Sequence, residues 1–203
     1  MAPDDRPLCI DLFCGLGGWA EGFVAEGYRV VGFDNDPRFA APYHKAGGEF
    51  VLADVRTLDG RRFRGARCIV GSSPCQKLTY LNFLHPPVPA HIDEAVHLFR
   101  QVERLAREAD IPWVAENVAG ARRYVGASVV HRGPWHLWGD VPLLFDGHLP
   151  MKVGAVARAR APDGSLKPAR LRQRGARDRS ANGAALRAKI PLSLARAVAR
   201  GFL

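Results

Sequence analysis

The stretch LCIDLFCGLGGWAEGFVAEG, residues 8–27, decides the fold that this sequence predicts. Residues 8–13 are a short apolar run typical of a buried strand, and the glycine cluster at 15–18 closes that strand. Apolar residues then recur at helical spacing over 19–27, where Gly27 is the expected C-cap. A strand, a glycine turn and a helix in this order open a strand–helix–strand unit with a right-handed crossover.

The alternation of strand and helix signals continues to residue 118. Strands are predicted at 28–34, 50–55, 66–73 and 111–118, a short helix broken near Pro42 at 36–46, and a long helix at 93–109. This pattern predicts an α/β fold with a doubly wound, mostly parallel sheet. Ligands of such sheets bind at the carboxyl ends of the strands, so the polar and glycine residues that end these strands are the candidate site.

The net charge of +9 is unevenly distributed along the 203 residues. Residues 1–120 hold 13 Lys/Arg and 16 Asp/Glu, whereas residues 121–203 hold 16 Lys/Arg and only 4 acids. A high-GC coding bias explains an excess of arginine over lysine, but it does not explain the missing acids. We therefore predict a catalytic and cofactor-binding core at 1–120, a basic nucleic-acid-recognition region at 121–189, and a C-terminal helix at 190–203 that packs back on the core.

The second part carries two further signals. Residues 129–145 are expected to hold one or two more strands. The segment 158–180 is rich in arginine and has no apolar period, so it predicts a surface loop or an arm that orders on a partner.

Composition excludes several classes of protein. The chain is 47% hydrophobic and 24% charged, with no apolar run near the ~20 residues of a membrane span. The first residues, MAPDDRPL, show no signal or transit peptide, which favours a cytoplasmic protein with reduced thiols. Its four cysteines form no C-x-x-C pair and no zinc-ligand spacing, so no metal is expected. Cys9 and Cys68 are predicted core residues, while Cys14 and Cys75 lie at predicted strand ends.

The glycine turn is a candidate cofactor site. Gly15, Gly17 and Ala20 satisfy a loose dinucleotide fingerprint, and Asp34 follows at a distance suited to a ribose. The pattern fits a nicotinamide cofactor as well as S-adenosylmethionine, and a tight structural turn explains it too. Asp34 and Asp54, at the ends of two further strands, are expected acceptors for a ribose and an adenine amine, although helix caps at a sheet edge would use the same residues.

A thiol and a carboxylate follow the fourth and fifth predicted strands. In GSSPCQ (71–76), Pro74 restricts the backbone just before Cys75, and ENV (116–118) begins with Glu116. If the two strands are neighbours, a cysteine nucleophile and a glutamic acid can add to a conjugated ring and protonate it. Burial would raise the pKa of Glu116 and keep it an acid near neutrality. The alternative is a loop cysteine and an N-capping carboxylate.

The motifs DLFCGLGG, FDND, ADV, SPCQ and ENV, in this order, resemble those of the cytosine-5 DNA methyltransferase family, and the short chain is similar to orphan members carried by bacteriophages. The resemblance covers residues 8–118 well and 187–203 weakly. It implies a Rossmann-like methyltransferase fold, S-adenosylmethionine as cofactor and methyl transfer to carbon 5 of cytosine in double-stranded DNA. An RNA cytosine methyltransferase and a catalytically inert nucleic-acid-binding protein are the alternatives.

The resemblance also implies roles for single residues. Cys75 would attack carbon 6 of a flipped-out cytosine, Glu116 would engage ring nitrogen 3, and Asn117 would position the Pro-Cys loop. For the late catalytic arginine of the family, Arg132 is favoured over Arg174, although Val130 and Pro134 stand where the family has a glutamine and a second arginine. The residues implied for the cofactor site are Asp11, Phe13, Gly15, Leu16, Gly17, Gly18, Asp34, Asn35, Asp54, Val55 and Pro74.

Only about 70 residues, 119–189, separate ENV from the last motif, so we expect a short target sequence, down to a dinucleotide. Affinity is then expected to come from phosphate contacts and to fall steeply with salt. Trp135 and Trp138 are predicted to pack in the core rather than stack on bases. We expect a monomer with no membrane partner, in the bacterial host cytoplasm if phage-encoded. The predicted nucleic-acid contacts are Gln76, Arg158, Arg160, Arg170, Arg172, Arg174, Arg177 and Arg179.

Overall fold

The chain builds a seven-stranded sheet in the order β3-β2-β1-β4-β5-β7-β6. The computed structural model describes residues 4–79, 88–142 and 188–203. Strands β1 to β5 are parallel, while β7 lies antiparallel between β5 and β6. This confirms the prediction of a doubly wound, mostly parallel sheet. The strands are β1 (Leu8–Leu12), β2 (Arg29–Asp34), β3 (Glu49–Leu52), β4 (Cys68–Ser72), β5 (Trp113–Asn117), β6 (Val130–Arg132) and β7 (Trp135–Gly139).

Five helices accompany the sheet in the described ranges: α1 (Gly18–Ala25), α2 (Ala40–Lys45), α3 (Pro89–Ala109), α4 (Arg122–Val125) and α5 (Leu192–Gly201). The predicted break at Pro42 is wrong, because Pro42 lies in the first turn of α2, where its missing N–H is not needed. The break falls earlier, where a 3₁₀ turn over Pro37–Phe39 gives way to the helix.

Helices cover both faces of the sheet and create two apolar cores. On one face α1 and α5 pack over Val70, Val114 and Leu137. On the other face α3 packs over Ile69, Ala115 and other side chains that point the opposite way. The strands β1, β4 and β5 are therefore buried on both faces, which explains why they are continuous apolar runs in the sequence.

Helices α1 and α5 approach each other closely at a glycine. A Cβ atom on Gly22 would overlap Ala195 and lie 2.7 Å from the backbone nitrogen of Arg196, so only glycine permits this approach. The hydroxyl group of Tyr28 donates a hydrogen bond of 3.0 Å to the carbonyl oxygen of Ala199. The last motif thus packs beside the helix that follows the glycine loop.

Three predictions about the core are confirmed. Cys9 and Cys68 are fully buried, and Trp138 is 5% exposed. Trp135 is half-buried and packs against the α1 face. Among the described residues no helix is both long and apolar enough to cross a membrane.

Candidate active site

The predicted site residues converge on one edge of the sheet. Because β1 to β5 are parallel, the loop after β1, Asp34, Asp54, the Pro-Cys loop and Asn117 all lie at the carboxyl ends of neighbouring strands. The strand order reverses between β1 and β4, since the chain moves from β1 outward to β3 and returns at β4. A ligand crevice is expected at this position in open α/β sheets.

The loop between β1 and α1 is held in a conformation that opens its backbone to a ligand. Phe13, Gly15 and Gly17 have φ angles of 57°, 47° and 76°, in the left-handed region that glycine tolerates best. No side chain caps α1, so the N–H groups of its first turn have no side-chain acceptor. The loop therefore presents backbone donors at a helix N-terminus, as a cofactor with polar groups requires.

Asp34 ties this loop to the end of β2. Its Oδ2 accepts a hydrogen bond of 3.1 Å from the backbone N–H of Gly15, and its Oδ1 accepts one of 3.0 Å from Asp36. Burial raises the pKa of the Asp34 carboxyl, although these backbone N–H groups oppose the rise. The carboxylate stands beside the glycine loop, where the ribose contact was predicted.

Asp11 is a fully buried carboxyl group beneath the same loop. Its Oδ2 accepts a hydrogen bond of 3.0 Å from the hydroxyl group of Tyr43, while its Oδ1 has no partner among the described residues. Burial raises the pKa of Asp11 well above its ordinary value. Cys14, predicted at a reactive strand end, is also buried, and burial raises the pKa of its thiol, so it lacks the exposure of a nucleophile.

Asp54 is arranged differently from Asp34. Its side chain accepts from the backbone N–H of Arg56 at 2.9 Å and also pairs with the Arg56 guanidinium, which lowers the pKa of the carboxyl. Asp54 thereby caps a 3₁₀ turn, the second role that the sequence left open. Val55 is buried within this turn, and Asn35 is exposed beside Asp34.

The Pro-Cys loop holds the candidate nucleophile. Cys75 is half-buried, and its carbonyl oxygen accepts a hydrogen bond of 3.0 Å from the N–H of Leu78. Leu78 is 2% exposed and anchors the turn in the α3 core. Burial raises the pKa of the Cys75 thiol, and the charge of Glu116 raises it further. The carboxyl group of Glu116 therefore lies near enough to affect the ionisation of the thiol.

Glu116 is the candidate acid, on the strand next to Cys75. In the sheet Glu116 of β5 lies directly beside Ser72 of β4, so both side chains point to the α1 face. Glu116 is 8% exposed, and burial raises its pKa from 4.5 to about 7 against the lowering effect of a hydrogen bond with Ser72. A carboxyl group with this pKa is about half protonated at pH 7, so it can still act as an acid near neutrality.

Asn117 fixes the backbone before the nucleophile. Its Nδ2 donates hydrogen bonds of 3.1 Å to both the carbonyl oxygen and the hydroxyl oxygen of Ser73, and its Oδ1 accepts from the N–H of Val118. The asparagine is 1% exposed. The end of β5 is thereby locked to the loop that carries Cys75.

Arg132 ends β6 at the same edge of the sheet. Val130, Leu137 and Glu116 are neighbours across the three strands, so Arg132, two residues after Val130, faces the same side as Glu116. Its Nε atom is buried and has no hydrogen-bond partner in the described part of the chain. The other predicted candidate, Arg174, lies outside the described residues.

Comparison with known proteins places these motifs in a family. A family model for C-5 cytosine-specific DNA methylase matches residues 8–123, more than half of the chain. The chain belongs to this family. Its sheet has the Rossmann-like arrangement of S-adenosylmethionine-dependent methyltransferases.

Individual relatives of this methylase-family chain match only part of it, at low sequence identity. The type II methylase M.HgiDII of Herpetosiphon aurantiacus is 30% identical over 124 residues, which are 57% of this chain and 34% of the relative. The chain thus matches about a third of that protein's length. Among solved structures, a DNMT2 variant of Spodoptera frugiperda has 15% identity and a TM-score of 0.40, covering 59% of this chain and 38% of that one. The tRNA (uracil-54, C5)-methyltransferase of Pyrococcus abyssi has 18% identity and a TM-score of 0.38, covering 58% and 26%.

Sequence reasoning missed three polar side chains at this candidate site. Trp19 donates from Nε1 to the hydroxyl oxygen of Ser72 at 3.0 Å, and Ser73 receives the two hydrogen bonds of Asn117. The available signal was the Ser72–Ser73 pair at the end of an otherwise apolar strand. Polar residues at that place need partners when they are buried.

Of the predicted nucleic-acid contacts, the described residues include Gln76 alone. Gln76 is exposed in the Pro-Cys loop. All seven predicted phosphate-binding arginines, Arg158 to Arg179, lie outside the described residues. In the described ranges no group of three or more His, Cys, Asp or Glu side chains is placed to hold a metal ion.

Proposed function

We propose that this family member methylates carbon 5 of cytosine in double-stranded DNA through a covalent adduct with Cys75. The observation that carries the proposal is the placement of a half-buried thiol in the loop after β4 and a buried carboxyl group on the neighbouring strand β5, close enough for the charge of Glu116 to act on the thiol. A nucleophile and an acid on neighbouring strand ends suit addition across a conjugated ring.

The chemistry assigns one task to each group. The Cys75 thiolate forms a bond to carbon 6, and the displaced ring electrons are neutralised when Glu116 gives its proton to ring nitrogen 3. Carbon 5 then carries the nucleophilic electron pair and takes the methyl group. A base removes the proton from carbon 5, and the bond from sulfur to carbon 6 breaks to release the Cys75 thiolate. Ring nitrogen 3 returns its proton to the Glu116 carboxylate, which restores both the aromatic ring and the acid. Because carbon 5 is inaccessible inside a duplex, the cytosine must be flipped out at a cost of about a few kcal/mol.

The residues around the glycine loop fit S-adenosylmethionine, which supplies the methyl group as a sulfonium when bound. Phe13, Gly15 and Gly17 hold the loop open, and Asp34 is aligned by two backbone N–H groups next to it. We assign the ribose hydroxyl groups to Asp34. Asp54 can accept from the adenine amine only if its pairing with Arg56 is relaxed.

Arg132 and the basic segment complete the proposal. The buried Nε of Arg132, on the face of Glu116, has no hydrogen-bond acceptor among the residues that the structure describes, which supports its role as the late catalytic arginine. Strands β6 and β7 belong to the sheet, so residues 143–187 are left for recognition of the target. That is about 45 residues, and we infer a short target read mainly through phosphate contacts.

The test is transfer of label from S-adenosylmethionine to unmethylated duplex DNA of mixed sequence, with transfer RNA as a second substrate. Wild-type protein is expected to label DNA, and Cys75→Ala is expected to label nothing. Cys68→Ala is the matched control, because Cys68 is a core cysteine on β4, the strand that leads into the loop with Cys75.

A trapping experiment adds a readout of the adduct itself. In a duplex whose cytosines carry fluorine at carbon 5, the last proton removal is blocked, so a stable complex between protein and DNA is expected for wild type only. Label transfer by Cys75→Ala would refute the covalent mechanism. Transfer of label to RNA but not to DNA would show that the substrate is RNA rather than DNA. No transfer to either nucleic acid would favour the alternative of a catalytically inert nucleic-acid-binding protein.

A further inference from the structure

A line of polar atoms connects the glycine-loop helix to the candidate acid. Trp19, in the first turn of α1 and 2% exposed, donates from its indole Nε1 to Ser72 Oγ at 3.0 Å. Ser72 ends β4 and lies beside Glu116 in the sheet register. Their side chains face the same side of the sheet, and a hydrogen bond with Ser72 lowers the pKa of the Glu116 carboxyl group against the effect of burial. One serine thus links two elements that the proposed chemistry uses.

The chemistry of the three groups fixes the direction of both hydrogen bonds. An indole N–H only donates, so it must use a lone pair of the Ser72 oxygen. A serine hydroxyl group has a single proton, and with Trp19 occupying an acceptor position that proton is available for Glu116. An ionised Glu116 carboxylate only accepts, so in that state the hydrogen bonds run from Trp19 to Ser72 and from Ser72 to Glu116.

This direction determines which oxygen of Glu116 carries the acidic proton. When the carboxyl group is protonated, its carbonyl oxygen is the better acceptor, so the Ser72 proton selects that oxygen. The acidic proton is left on the other oxygen, free to be donated outside the sheet. We infer that Trp19 and Ser72 are positioning residues that orient the Glu116 carboxyl group for proton donation to the target base.

This inference rests on the proposed function, because it assigns a purpose to the proton of Glu116. We call the chain of hydrogen bonds from Trp19 through Ser72 to Glu116 the relay. It begins next to the cofactor loop, because Trp19 directly follows the glycine cluster. The same helix turn that offers backbone donors to a cofactor therefore holds the acid in place, which couples the two halves of the site.

Several charged or titratable groups share the face of Glu116. The charge of Glu116 raises the pKa of the Cys75 thiol, Arg132 lies two strands away on β6, and Asp11 lies two strands away on β1. Glu21 of α1 pairs with Lys189. His136 adjoins Asn117 in the register and points to the opposite face, as Asn117 does. Ser72 is the group whose hydrogen bond favours the ionised form of Glu116, and it opposes the effect of burial.

The direct test measures the protonation of Glu116 without catalysis. Difference infrared spectra of the protein without cofactor, taken against Glu116→Gln, isolate the carbonyl stretch of the protonated carboxyl group and follow it with pH. Wild type is expected to titrate near pH 7. In Ser72→Ala the hydrogen bond that favours the carboxylate is gone, so the midpoint is expected to rise by about one pH unit.

Matched variants separate the relay from a general structural effect. Trp19→Phe is expected to move the midpoint in the same direction by less, because the serine proton is no longer directed. Trp138→Phe removes another buried indole N–H, which bonds the carbonyl oxygen of Gly126 at 3.1 Å, and is expected to leave the midpoint unchanged. Ser72→Thr retains the hydroxyl group and is expected to restore the wild-type midpoint.

Activity profiles then separate this inference from the proposed function. Because the Cys75 pKa lies above that of Glu116, the lower limb of the pH profile of kcat/KM follows Glu116 and is expected to rise with the infrared midpoint. An unchanged infrared midpoint in both Ser72→Ala and Trp19→Phe overturns the relay even if wild type is active. If wild type transfers no methyl group to any nucleic acid, the proposed function fails, whatever the infrared midpoints show.

Discussion

The buried carboxyl group of Glu116 makes a quantitative prediction about stability. Its pKa is about 7 in the folded protein, against 4.5 for an ordinary glutamate. Between these two values the folded chain binds one proton more than the unfolded chain. The free energy of unfolding must then fall as pH rises, by about 1.4 kcal/mol per pH unit. Over the whole window the loss is about 3 kcal/mol.

The perturbation that isolates this effect is Glu116→Gln, which keeps the shape of the side chain and cannot ionise. Asp11 and Asp34 also have raised pKa values, but both proteins contain them, so their contribution cancels in the difference. Relative to the variant, wild type is expected to lose about 3 kcal/mol between pH 4.5 and pH 7, with no further loss above pH 8.

The assay is urea unfolding at a series of pH values between 4.5 and 8.5, with the slope against denaturant checked for constancy. Asp54→Asn is the control. Arg56 lowers the pKa of the exposed Asp54 carboxyl below its ordinary 3.8, so any stability it gives is lost only at lower pH. Its curve is expected to run parallel to wild type across this range. Parallel curves for Glu116→Gln and wild type would refute the assignment of a neutral, buried Glu116.

Three further predictions concern the loop, the helix pair and the basic segment. Asn117→Ala removes both hydrogen bonds to Ser73, so kcat for methyl transfer is expected to fall by about a hundredfold with little change in the KM of the cofactor, as measured by steady-state kinetics. Gly22→Val forces the helices apart at Ala195 and is expected to lower the free energy of urea unfolding by about 1–3 kcal/mol, whereas the exposed Ala25→Val is expected to have little effect. DNA affinity is expected to fall with salt with a logarithmic slope of about −6 if all seven predicted arginines each neutralise one phosphate; a flat titration contradicts the basic-segment prediction.

Much of the fold was predictable because its strands are buried on both faces. Runs such as 8–13 and 66–73 are continuous and apolar, and Gly27 punctuates the chain where α1 gives way to β2. The pairing of β7 with β5 was not predictable, because short strands near a sheet edge leave no periodic signal that names their neighbour. The long helix begins at Pro89, four residues before the predicted start. Proline is well suited to the first turn of a helix, but the residues of this turn do not show the apolar spacing from which the helix was predicted.

The site was predictable where residue type and chemistry coincide. Cys75 and Glu116 were chosen from their positions at strand ends, and the neighbouring strands on which that choice depended are observed. Trp19 and Ser72 were missed because their pairing spans 53 residues and depends on how α1 lies across the sheet. Cys14 was chosen for the same reason as Cys75, but it is buried. The sequence around a cysteine at the end of a strand does not reveal whether its thiol is buried or exposed.

The pairing of α1 with α5 has a consequence for the order in which the chain is made. The hydrogen bond from Tyr28 to Ala199 joins residues 171 positions apart. At about 5–20 residues per second, the ribosome needs about ten to thirty seconds to cover that distance. During this time the apolar face of α1, with Trp19 and Phe23, has no partner helix. Helix α1 therefore stays uncovered until α5 has been synthesised, and chaperone dependence in the cell is expected to act on this face.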